Sequence, residues 1–142
     1  MRRYGSGGMS ESAVIRPRRR VFPGAKDQVA RARLFVGDVL DGCPAAADAV
    51  LLTSELVTNA IAHTASGRGG KVIVTVYRGD TGVRVDVLDD GSDQAPVVHP
   101  VGEARESGFG LGLVDLMADR WGHCGGRRSR VVWFMLGWKT NG

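Results

Sequence analysis

The sequence predicts an α+β fold: a two-layer sandwich in which about three helices cover one face of a mostly antiparallel, mixed β-sheet. Three observations predict it. Apolar residues recur at helical spacing through two early segments, 25–41 and 45–64. Val, Ile and Thr dominate later short segments bounded by turns, at 71–77, 83–88 and 131–138. One more helical pattern, opened by closely spaced glycines, is inserted late, before the last strand.

Arg18 to Phe22 reads as a short edge strand closed by Pro23-Gly24. Residues 25–41 place Val29, Leu34, Phe35, Val39 and Leu40 on a helix. Gly42 stops it, and Pro44 opens the next helix at its first turn. That second helix runs from about Ala45 to Thr64, with Val50, Leu52, Leu56, Val57, Ala60 and Ile61 as its apolar face. Residues 66–70 form a turn, and Lys71 to Tyr77 a strand. The turn at 78–82 joins it to Val83–Leu88, where valine alternates with Arg and Asp as in a half-buried strand. Residues 92–107 have no period, and a loop that long in a small domain is usually functional or disordered. Leu113 to Trp121 is a helical pattern, residues 125–128 turn the chain, and Val131–Trp138 closes it as an apolar strand.

Composition narrows the classes. The 142 residues suffice for one domain with one core, and 43% hydrophobic content argues against disorder. No apolar run approaches the ~20 residues of a membrane span, and no apolar stretch follows the first arginines as in a secretory signal. The net charge is +4, yet residues 1–20 hold six arginines and one glutamate, +5, so the rest sums to −1. The basic character belongs to a Gly, Ser and Arg-rich leader at 1–17, expected to be disordered, ahead of a single domain at 18–142. A nearly neutral body speaks against direct nucleic-acid binding. Cys43 and Cys124 are too few for a zinc site, and two reduced thiols in a cytoplasmic protein is the expectation.

Three places can carry chemistry. Glu55, Asn59 and His63 recur every fourth residue inside the second helix, and at ~100° per residue they share one strip. A carboxylate and a carboxamide at a core boundary need partners, since burying them bare costs roughly 2–7 kcal/mol or more. A ligand, most plausibly a metal-bound one, is the natural partner. Asp89 and Gly91 end a strand: the carboxylate can accept from an amino group of a ligand on the sheet, and the glycine admits a flat ligand to the backbone. Taken alone, Asp-Asp-Gly is also ordinary turn chemistry. Gly108-Phe109-Gly110-Leu111-Gly112 opens a helix, where free N–H groups and the helix dipole suit phosphate oxygens. It is neither a dinucleotide fingerprint nor a P-loop, and the glycines alone read equally well as a hinge.

The order of these three resembles the GHKL ATP-binding (Bergerat) fold of gyrase-type, chaperone and histidine-kinase ATPases. The phrases SELVTNAIAHT, DVLDDGS and GFGLGLVDLMADRWG look most like the anti-sigma-factor serine kinases and the stand-alone ATP-binding regulators of actinomycetes. The resemblance covers roughly residues 22–138. It implies ATP and Mg²⁺ as cofactors, with Asn59 as the one protein ligand to magnesium; a carboxamide oxygen suits a hard cation that keeps its waters. It implies Glu55 as general base toward a serine hydroxyl, or as a residue ordering metal-bound water. His63 would lie near the phosphates or cap its helix. Asp89 would accept from the adenine amino group with Gly91 beside it, residues 92–107 would be the lid, and Gly108 to Gly112, with Phe109 and Leu111, would cradle the phosphates. The implied partners are an antagonist protein, a sigma factor or both, and a second copy in a homodimer.

The chain departs from the family at two places. Asp93 stands where a second glycine is common. Ser129-Arg130-Val131 replaces the usual Gly-Lys-Thr before Val132-Trp133, and a valine cannot donate the hydrogen bond that the threonine gives toward adenine. Three functions therefore follow: a serine kinase acting on a small antagonist, a partner-binding module switched by ATP without catalysis, and a scaffold that has lost its nucleotide.

Overall fold

The structure is a computed structural model and describes residues 16–96, 98 and 111–139. Residues 1–15 of the expected tail at 1–17, most of the lid at 92–107, and Gly108, Phe109 and Gly110 lie outside the described residues. The elements are β1 (Arg18–Pro23), α1 (Gln28–Val39), α2 (Ala46–His63), β2 (Lys71–Arg78), β3 (Gly82–Asp89), α3 (Gly112–Met117), β4 (Arg120–Gly125) and β5 (Arg130–Gly137), with a 3-10 turn at Ala65–Gly67.

The five strands form one sheet in the order β1-β2-β3-β5-β4. Every pairing among the described strands is antiparallel, so the mixed character expected of the sheet is absent there. Strand alternation sends Val72, Val74, Val76, Val83, Val85, Val87, Val132, Phe134 and Leu136 into the core. There they join Ala32, Phe35 and Val36 of α1, Ala49, Leu52, Leu56, Val57 and Ala60 of α2, and Val114 of α3. The opposite face carries Thr75, Tyr77, Arg84, Asp86, Leu88 and Val131, all at least partly exposed. On that face the Arg84 guanidinium pairs with Asp86 at 2.7 Å and lies 5.0 Å above the Trp133 ring. Gly122 in β4 leaves room for that ring, which a Cβ there would meet at 2.6 Å. Cys43 and Cys124 are both free thiols. No described helix is long and apolar enough to cross a membrane.

Two side chains fix how the helices meet the sheet. Arg78 of β2 donates to the carbonyls of Val39 at 2.9 Å and Asp41 at 3.3 Å, satisfying acceptors that the end of α1 leaves open. Ser66, fully buried, donates from Oγ to the Lys71 carbonyl at 2.7 Å and accepts from the Asp90 amide at 2.9 Å. It thereby ties the end of α2 to the start of β2 and the end of β3.

The late helix differs from expectation. Its apolar spacing predicts a helix from Leu113 to Trp121, but it ends at Met117, and Arg120–Gly125 forms an edge strand on β5. Ala118 is extended, with ψ 142. Asp119 then commits the chain to the sheet: its amide donates to the Met135 carbonyl at 3.0 Å, and its carboxylate accepts from the Gly137 amide at 2.6 Å. Trp121 folds back to donate from Nε1 to Asp115 at 2.9 Å.

Candidate nucleotide site

The strip on α2 is present as the period requires. Glu55, Asn59 and His63 all lie in one uninterrupted helix, with His63 its last residue. Glu55 is half-buried, and burial raises its pKa above the usual glutamate value. Asn59 is buried at 9% exposure, and its amide nitrogen has no hydrogen-bond partner among the described residues. A donor left that way costs roughly 1–3 kcal/mol, so folding alone does not account for it. Beyond His63 the helix is closed by Thr64, whose Oγ1 donates to the Ala60 carbonyl at 2.6 Å and accepts from the Ser66 amide at 3.1 Å.

A cavity of about 380 Å³ opens at this end of α2, lined among others by His63, Arg68, Gly91, Asp93, Gln94 and Arg127. That volume falls within the ~300–1,000 Å³ typical of small-molecule sites. Its walls come from α2, from the segment after β3 and from the β4–β5 turn, so the structure brings His63 and Gly91 to one place. Gly91 has φ +87, and a Cβ there would collide with the backbone of Gly126 and Arg127. The immediate demand for glycine is thus the chain's own turn, and the flat-ligand argument is secondary. The backbone around it is held by bonds from the Ala65 amide to the Gly91 carbonyl, 3.0 Å, and from the Ser92 amide to the Gly126 carbonyl, 3.1 Å. Asp93, at the position where a second glycine is common, pairs with Arg127 at 3.4 Å on the exposed rim.

Asp89 sits at the end of β3, 3% exposed and behind the cavity wall. One carboxylate oxygen accepts from the Gly91 amide at 2.8 Å. The other accepts from Arg130 Nε at 3.2 Å and Nη2 at 3.0 Å. Burial pushes the carboxyl above its usual pKa; the Gly91 amide and the Arg130 guanidinium pull the other way.

Arg130 corrects the reading of the closing strand. Asp89 stands directly opposite Arg130 in the β3–β5 ladder, so their side chains share the inner face. Val131 stands opposite Leu88 and points to the outer face. The position that meets Asp89 is therefore 130, and it holds a strong donor; the valine has no bearing on it. Alternation was the available signal: with Val132, Phe134 and Leu136 inward, period two sends Arg130 inward as well.

At the glycine segment, Gly112 begins α3 as expected, and α3 packs on α2. Leu111 is in the core at 1% exposure, so its side chain is committed to packing and only its backbone is left for the expected phosphate contact. No cluster of three or more His, Cys, Asp or Glu among the described residues could hold a metal. A cation here would depend on ligand oxygens and water, with one side chain such as Asn59.

A sequence model of the histidine kinase-like ATPase domain matches residues 22–134. The match takes in α1, α2, α3 and nearly the whole sheet, and with them every described candidate residue. No curated protein matches the chain.

Proposed function

The chain belongs to the histidine kinase-like ATPase domain family, and from that premise we propose that it is an ATP-binding regulatory protein that transfers the γ-phosphate to a serine of a small antagonist protein. An ATPase domain implies ATP binding. The observation that carries the reading is Asn59: a buried carboxamide, with its nitrogen lacking a partner among the described residues, one turn before a histidine that lines the cavity. Its oxygen would take Mg²⁺ and its nitrogen a phosphate oxygen, which fits the donor set present. Bound magnesium would neutralise phosphate charge.

Glu55, one turn earlier, is the proposed general base. A raised pKa makes a carboxylate a stronger proton acceptor, which suits removal of a serine proton. Arg68 and Arg127 against Asp93 leave the cavity lining with a net positive charge, consistent with a polyphosphate. A second reading, ATP-dependent partner binding without transfer, is supported by Asp89, whose carboxylate is already engaged by Arg130. Incubation with γ-labelled ATP and serine-bearing candidate antagonists separates the two. Transfer by wild type, reduced at least about a hundredfold in Glu55→Gln, supports the kinase. Binding without transfer supports the module, and undiminished transfer by Glu55→Gln rejects the general-base role.

A further inference from the structure

The Asp89–Arg130 pair has a consequence for which base the site selects. Three of the roughly four acceptor positions of the carboxylate are filled by protein donors: one by Gly91 and two by Arg130. Both side chains of the pair are almost wholly buried, at 1% and 3% exposure, and neither lines the cavity. A nucleobase amino group arriving at Asp89 meets a carboxylate that is already neutralised and already bonded. It finds one acceptor position left, on the oxygen that the Gly91 amide already bonds, and the paired guanidinium has taken up the charge that would strengthen the new bond. Burial keeps that pair together, since a guanidinium parted from its carboxylate in the interior is strongly unfavourable.

We propose that Arg130 is a specificity-determining residue that weakens Asp89 as an acceptor for the base and so flattens discrimination at the 6-position of a purine. The inference rests on the ATP-binding reading above. In a site where the carboxylate is open, a 6-amino group gains a charge-assisted hydrogen bond worth about tenfold or more in affinity. In this chain the gain is reduced, because Arg130 already neutralises the carboxylate. Nucleotide selection then falls to the metal and phosphate end, at Asn59 and the basic rim, and the chain accepts purine triphosphates with little regard to the 6-substituent.

The test is calorimetric titration of the full chain with Mg-ATP and with the Mg complex of purine riboside triphosphate, which lacks the 6-amino group. Wild type is expected to bind the two within roughly threefold of each other. Arg130→Thr, which leaves a hydroxyl near Asp89, is expected to bind ATP tighter than wild type and to prefer it by about tenfold or more. Arg130→Gln keeps the long stem on the inner face and should move the ratio the same way, which covers the case that the threonine variant does not fold. A wild-type preference for ATP of about tenfold or more overturns the inference while leaving ATP binding intact. So does an unchanged ratio in either folded variant. Failure of wild type to bind either nucleotide overturns the ATP-binding reading itself, and this inference with it.

Discussion

Asn59 and Glu55 stand one turn apart on α2, and burial acts on them in different ways. Asn59 keeps an amide donor in the interior with no partner among the described residues. Asn59→Ala removes that donor along with its desolvation cost, so the melting temperature is expected to hold or rise by up to a few degrees. A clear fall in melting temperature would mean that the amide is structurally satisfied. Burial raises the pKa of Glu55 above the ordinary glutamate value. In the window between the unfolded and folded values the folded state holds the proton more tightly. The associated stability is therefore complete below the unfolded value and is lost as pH rises through the folded one. Denaturation of Glu55→Gln near pH 4 and near pH 7 should show the variant gaining on wild type at the higher pH. The gain is small, because Glu55 is only half-buried. Equal differences at the two pH values would contradict the cause assigned to the shift. Both residues were legible because polar residues spaced by four in an apolar helix fall on one strip. Arg130 was equally determined by alternation, but its partner was not, since the register that sets it against Asp89 comes from the β3–β5 ladder and not from either strand alone.

The junction of α2, β2 and β3 positions the site at the scale of elements. Ser66 makes two bonds there from a fully buried hydroxyl. Ser66→Ala leaves the Lys71 carbonyl and the Asp90 amide short of partners and should cost about 2 kcal/mol in chemical denaturation. Gly91→Ala meets both a left-handed φ and the 126–127 backbone, and a loss of about 3 kcal/mol or outright failure to fold is expected. A near-neutral result for either would show the junction to be more pliant than drawn. The two early helices and the strands β2, β3 and β5 were readable because their apolar periods are unbroken. The late helix was over-read: Leu113, Met117 and Trp121 keep a spacing of four across the helix end, while β4 has two glycines and no Val, Ile or Thr to announce a strand. Asp119 and the free edge of β5 decide the matter, and both act through tertiary contacts.

Across the whole molecule, α2 packs on β3 and on α3, and the cavity at its end is walled by the segment after β3 and by the β4–β5 turn. The family and the α+β class were legible because the order of three short motifs carries more information than any one of them. How the base end is filled was not legible, because a buried ion pair between strands leaves no local mark in sequence. The central claim is that α2 presents Asn59 to a magnesium nucleotide. Isothermal titration of Mg-ATP into wild type and Asn59→Ala tests it most directly. Saturable heat is expected with wild type, and affinity weaker by at least about tenfold in a folded Asn59→Ala; equal binding by the two proteins, or none by wild type, would show that Asn59 holds no magnesium nucleotide.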